Sequence, residues 1–239
     1  MTRTVRDPKC IEKKGIKRIA GSVTRSEPSV FTTPRLVAIA LCASLNIAIG
    51  SIVYVLKMPI YLDSIGSILC ALLLAPDRLI GFICTALAGL ISNIIIFLLI
   101  NPFILWFEAT SVAIALVSVF VTARFVDVYR ARPMPVVHFV GAVVLCGIVT
   151  GLVAAVVSAP VVAYLFGGVT GNGSALIVAF FLKTGQQLLN AALYSGLAAE
   201  PIDKVLQVLF AALLYRATPA DFITLLRVAP APLPAPKRV

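Results

Sequence analysis

The stretch VVHFVGAVVLCGIVTGLVAAVVSA, residues 136–159, contains no Asp, Glu, Lys or Arg. A helix needs about 20 mostly apolar residues to cross the hydrocarbon core of a bilayer, and this run is long enough. It is continuous and lacks the in-out alternation of a barrel strand, so it reads as a membrane-spanning helix. Similar runs flank it at 35–56, 79–100 and 103–123, with a shorter one at 62–75 and two candidates at 174–198 and 202–215. The composition agrees: 60% of the 239 residues are apolar and 13% charged, against about 25% charged in a soluble domain. A water-exposed surface cannot be built from so few charges. The fold class expected is therefore all-α: an integral membrane helical bundle of about six transmembrane helices, the second span being short.

The ends of the runs carry the punctuation such helices need. Lys57-Met58-Pro59 follows the first run, Pro76-Asp77-Arg78 closes the second, and Asn101-Pro102 separates the third from the fourth. The second run is too short to cross untilted without help from its flanks. Gly167-Gly168-Val169-Thr170-Gly171-Asn172-Gly173 must be a loop. Three segments result: a basic disordered tail at 1–34, the helical bundle at 35–216, and a Pro-rich basic tail at 217–239.

Charge gives orientation. The net charge is +10, and nine of the 20 Lys and Arg lie in the first 35 residues. Loops rich in Lys and Arg stay in the cytoplasm, which places the N-terminal tail, the loop with Arg124, Arg130 and Arg132, and the tail with Arg227, Lys237 and Arg238 on that side. An even number of crossings follows, so one of the last two candidate segments is interfacial, re-entrant or joined to its neighbour. The 57–63 turn, the Asn101-Pro102 turn and the glycine-rich loop then share the outer face. The basic tail lacks aromatic interleaving and zinc spacing, so no nucleic-acid partner is expected. It is too long for a signal peptide and no small-residue cleavage site follows it.

Ionisable groups are expensive in a span, so each asks for a reason. Asp63 opens the second run, as a helix cap or as a ligand contact. Glu108 sits beside Trp106 and Phe107, as an interfacial anchor or as part of a site. Lys183, Gln187 and Asn190 fall at i, i+4 and i+7, one stripe of a helix that lipid cannot satisfy; it faces a cavity or lies at the headgroups. Asn93, near Gly89 and Ser92, either glues helices together or contributes to a site. Ala40, Ser44 and Ala48 recur every four residues, a ridge of small side chains for close helix approach within the chain or to a partner. The glycines of the fifth run read as packing residues. Cys10, Cys42, Cys70, Cys84 and Cys146 show no CxxC spacing and read as small packing residues, and His138 has no metal-ligand neighbours. No Walker loop or paired carboxylates on one helix are visible, so the chain is not expected to be an enzyme, and no cofactor or metal is implied.

The segment Met58-Pro59-Ile60-Tyr61-Leu62-Asp63-Ser64-Ile65-Gly66-Ser67, followed by Leu74-Ala75-Pro76, Gly89-Leu90-Ile91-Ser92-Asn93 and Asn101-Pro102, resembles the substrate-binding S components of energy-coupling factor (ECF) transporters. The resemblance is to those with a P-x-x-L-D-[ST]-I-G-[ST] motif before a short helix. The glycine-rich loop and Pro201-Ile202-Asp203-Lys204-Val205 also look like that group. The resemblance implies a six-helix protein of a bacterial cell membrane, with both termini cytoplasmic, that binds a vitamin or related micronutrient from outside. It further implies docking, through small residues of the first helix, on a transmembrane coupling protein driven by two ATPase subunits. Ala40, Ser44 and Ala48 sit where that docking motif lies, with Ser44 departing from its all-alanine form. The long basic N-terminal extension is not part of the pattern.

The reading that follows is an ECF-type substrate-binding subunit with a pocket on the outer side. Its candidate contacts are Tyr61, Asp63, Asn93, Trp106, Glu108, Lys183, Gln187 and Asn190, with aromatic faces holding a flat ring and polar groups fixing its orientation. Two rivals are a membrane sensor or scaffold bundle, which the short tail after Tyr215 argues against, and a stand-alone secondary transporter, for which Glu108 is the serious mid-membrane carboxylate.

Overall fold

Thr33-Pro34 starts the first helix, with proline in the first turn, where its missing N–H costs nothing. The computed structural model describes residues 30–227 apart from 75–76, 125–127, 129–134 and 171–172, and every element among them is helical. The helices are α1 (Thr33–Val55), α2 (Ile65–Leu73), α3 (Arg78–Leu99), α4 (Ile104–Thr122), α5 (Val136–Leu165), α6 (Ser174–Lys183), α7 (Leu188–Ala217) and α8 (Ala220–Arg227). Four of these, α1, α3, α4 and α5, are long and apolar enough to cross a membrane by length and composition. The expectations for residues 1–29, for Arg130 and Arg132 and for 228–239 lie outside the described residues, as does Cys10.

The polarity of the bundle is that of a protein in hydrocarbon. Leu41, Ile52, Leu98, Leu99, Val137 and Leu176 point outward, while Asn46, Thr85, Ser92, Asp203, Lys204 and Gln207 are buried. In water so large an apolar exterior would be an aggregation surface; in lipid it is the expected one, and polar groups must gather inside.

The short second run lies in the middle. Ile65, Ile68, Cys70, Ala71 and Leu72 of α2 are almost wholly covered, so other helices rather than lipid surround a helix too short to span alone. Its open ends are closed by side chains from elsewhere. At the start, the Gly66 N–H donates to Asn46 Oδ1 of α1 at 2.7 Å, and Asn46 Nδ2 donates to Ser67 Oγ at 2.9 Å. At the finish, Arg227 of α8 donates from Nε to the Leu73 carbonyl at 3.0 Å and from a terminal nitrogen to the Leu72 carbonyl at 3.1 Å. Gly66 has no room for a side chain, because a Cβ there would run into the Cys42 carbonyl of α1. Asn46→Ala should leave the Gly66 amide without its partner and lower stability by about 2 kcal/mol, read as a fall in melting temperature in detergent; an unchanged melt would remove Asn46 as the clamp.

The C-terminal half departs from the expected segments. The run at 174–198 is not one helix, because α6 stops at Lys183, Gly185 turns with φ +84°, and α7 starts at Leu188. Residues 202–215 are joined to the segment before them, one of the alternatives open for them, since α7 continues through Pro201 to Ala217. A proline mid-helix forfeits one backbone bond, and α5 packs against that point: a Cβ on Gly151 would lie 2.5 Å from Pro201 Cα. The segment after 217 is also not all tail, for α8 buries Ile223 and Leu226, and Arg35 of α1 donates to the Leu226 carbonyl at 3.2 Å. Cys42, Cys70, Cys84 and Cys146 are buried free thiols.

A candidate binding cavity and its buried charges

Residues 56–64, between α1 and α2, carry two backbone conformations that side chains rarely adopt, Lys57 at φ 52° and Leu62 at φ 48°. Something must hold them. The Tyr61 and Leu62 N–H groups both donate to Asp203 Oδ1 of α7, at 3.0 and 2.9 Å. Gly173, at the end of the glycine-rich loop, sits so close to this segment that a Cβ would meet the Lys57 carbonyl at 2.6 Å and Pro59 N at 2.8 Å. Gly50 similarly admits Asp63 against α1.

Beneath this segment lies a cavity of about 90 Å³, room for several waters or a small ring. Tyr61 and Asp63 line it from above, Asn93 and Ser92 from α3, Phe107 and Thr110 from α4, and Glu200 and Lys204 from α7. Asn101 and Thr170 line it too, so the 57–63 turn, the Asn101-Pro102 turn and the glycine-rich loop do converge. Burial, with the Glu200 carboxylate next, holds the Tyr61 phenol above its ordinary range.

The candidate residues divide. Tyr61, Asp63 and Asn93 are brought together in the wall. Asp63 does not cap α2: no side chain of the 63–64 corner bonds to its first amides, and Asp63 Oδ1 accepts instead from Ser64 Oγ at 3.0 Å. Glu108 stands one step back, its Oε2 accepting from Asn93 Nδ2 at 2.8 Å, so that it orients Asn93 across α3 and α4. Trp106 points outward and is 58% exposed. Ile104–Phe107 forms a 3₁₀ turn, whose three residues per turn send neighbours about 120° apart, and it is Phe107 that faces the cavity, stacked on Phe166 with centroids 5.8 Å apart. Lys183, Gln187 and Asn190 are exposed and outside the wall. The single helical stripe they were expected to form is broken at Thr184-Gly185, where Thr184 Oγ1 donates back to the Phe181 carbonyl at 2.7 Å.

Sequence reasoning missed the charges on α7. Asp203 is fully buried, and its Oδ2 accepts from Lys204 Nζ at 2.5 Å and from Gln207 Nε2 at 2.8 Å. Lys204 Nζ also lies 3.4 Å from Glu200 Oε2 and 4.0 Å from Asp63 Oδ1, and 5.8 Å from the centre of the Tyr61 ring. Glu200, Asp203, Lys204 and Gln207 recur at three- and four-residue steps, one face of a helix. That signal was in the sequence.

No family model, curated protein or solved structure matches this chain. The small-residue ridge is placed by the coordinates alone: Ala40, Ser44 and Ala48 are exposed on α1, uncovered by any described helix, and the Ser44 hydroxyl is satisfied by the Ala40 carbonyl at 2.8 Å.

Proposed function

We propose that this chain is the substrate-binding subunit of an ECF-type importer in a bacterial cell membrane, capturing a vitamin or related micronutrient from outside and delivering it inward with a separate ATPase module. The observation that carries the reading is the cavity under the 57–63 segment, walled by aromatic and polar side chains from α1, α3, α4 and α7. Such a wall suits a small flat ligand better than it suits packing. In this reading α1 to α5 and α7 make the six crossings, with α2 the short one, and both ends of the chain face the cytoplasm.

The exposed Ala40, Ser44 and Ala48 ridge supplies the other half of the reading. A membrane helix offers small residues where another backbone must come close, and here no described helix of the chain does so. The coupling protein, carried by two ATPase subunits, is the proposed occupant. Co-expression with such a module tests it: the chain should co-purify with it, and Ala40→Trp with Ala48→Trp should cut recovery of the complex at least tenfold while leaving the melting temperature of the isolated chain unchanged. Recovery equal to wild type would remove the ridge as the docking face.

A stand-alone secondary transporter is the second reading, favoured by Glu200, Asp203 and Lys204 halfway along α7, since intramembrane ionisable groups can couple transport to ions. Ligand accumulation in vesicles containing this chain alone, under a pH gradient, would select it over the first.

A further inference from the structure

Four ionisable side chains meet at the cavity, and their partners are unequally shared. Asp203 has both oxygens occupied: Oδ1 by the Tyr61 and Leu62 amides, Oδ2 by Lys204 and Gln207. Lys204 is thereby committed to Asp203 by the shortest contact in the group, and the two charges cancel. Asp63 and Glu200 share that same ammonium only at longer range, 4.0 and 3.4 Å, so three carboxylates face one cation among the described residues, and two of the three line the wall. Glu200 is 94% buried, being 6% exposed, and its Oε2, although 3.4 Å from Lys204 Nζ, accepts no hydrogen bond from the described residues. The Thr110 hydroxyl, equally buried in the same wall, has no hydrogen-bond partner among the described residues either.

Resting on the binding reading above, we propose that the cavity selects a small flat molecule carrying a protonated amine or another cationic nitrogen, held by Glu200 and Asp63. A buried carboxylate oxygen without a hydrogen bond is a site that asks for a charged donor. An anionic ligand would have to draw Lys204 away from Asp203 and strand that carboxylate in the interior. A neutral ligand would leave Glu200 as it is. Tyr54, Tyr61 and Phe107 add ring faces to the same wall, and ring faces attract cations. A bare metal ion is a poorer fit, because among the described residues no three His, Cys, Asp or Glu side chains are grouped to hold one.

The test uses three probes of one shape and different charge, benzylamine, benzyl alcohol and benzoate, titrated into the purified full-length chain in detergent and followed by calorimetry and melting temperature. Benzylamine should bind roughly tenfold more tightly than benzyl alcohol, the scale of one charge-assisted hydrogen bond, and benzoate more weakly than either. Glu200→Gln should flatten the order to within about twofold, with Asp63→Asn as the second variant if the first does not fold. Equal binding of the three, no binding by any, or a preference for benzoate overturns the proposal. Co-purification with the ATPase module is scored on the same preparations. A lost charge preference with the module retained sinks the ligand class alone; a retained preference with no module sinks the importer reading alone.

Discussion

Asp203→Ala is expected to lower stability by roughly 3–5 kcal/mol, the size seen when one partner of a buried ion pair is removed. Four donors lose their acceptor at once: the Tyr61 and Leu62 amides, Gln207 and Lys204. The ammonium of Lys204, 2% exposed, is left with Glu200 and Asp63 at longer range. The segment held at positive φ at Leu62 loses its tether to α7, so damage should reach the cavity roof as well as the core. Asp203→Asn should fall between, because an amide oxygen can still accept from the backbone but carries no charge. Lys204→Met on top of Asp203→Ala should recover part of the loss, since it removes the stranded cation. Melting temperature and the monodisperse fraction in detergent measure all three. Asp203→Ala melting with the wild type would falsify the view that this carboxylate organises the site.

The crossings were legible because run length and punctuation act together. The expected 79–100 and 103–123 became Arg78–Leu99 and Ile104–Thr122, ended by Asn101-Pro102 as read. The charged heart of the cavity carries a helical spacing in the sequence, but it shows only when the helix is read through Pro201. A proline ordinarily breaks a helix, so the expected segments stop at 198 and resume at 202, Glu200 falls between them, and the face it shares with Asp203 and Lys204 disappears. The true break, at Gly185, is a lone glycine among Thr184, Gln186 and Gln187, a weak signal inside an otherwise apolar pattern. The same error created the stripe of Lys183, Gln187 and Asn190, whose spacing has meaning only on an unbroken helix. Tertiary packing kept Pro201 inside α7, and no local propensity reports that. The docked α8 was hidden by its Pro-rich surroundings, although Ile223 and Leu226 stand three apart as buried residues of a helix do.

Gly151→Leu should lower stability by about 3 kcal/mol, the upper end for overpacking, because backbone obstructs it. Gly147 and Gly151 lie on one face of α5, as four-residue spacing requires, with Ala155 completing the row. A Cβ on Gly151 would come within 2.7 Å of the Glu200 carbonyl as well as 2.5 Å of Pro201 Cα, one on Gly147 would strike the Val205 backbone, and Gly196 of α7 packs on Ala155. This row lets α7 approach at the very turn that carries Glu200, Asp203 and Lys204, so the added side chain should displace the charges from the cavity wall. Gly141 is the internal control. It belongs to the same helix, but nothing stands within 4 Å of a Cβ there, and Gly141→Leu should melt with the wild type. If Gly151→Leu and Gly141→Leu melt together, α5 does not set the position of α7. If Gly151→Leu alone falls, the glycines of the fifth run serve the site by holding the helix that charges it.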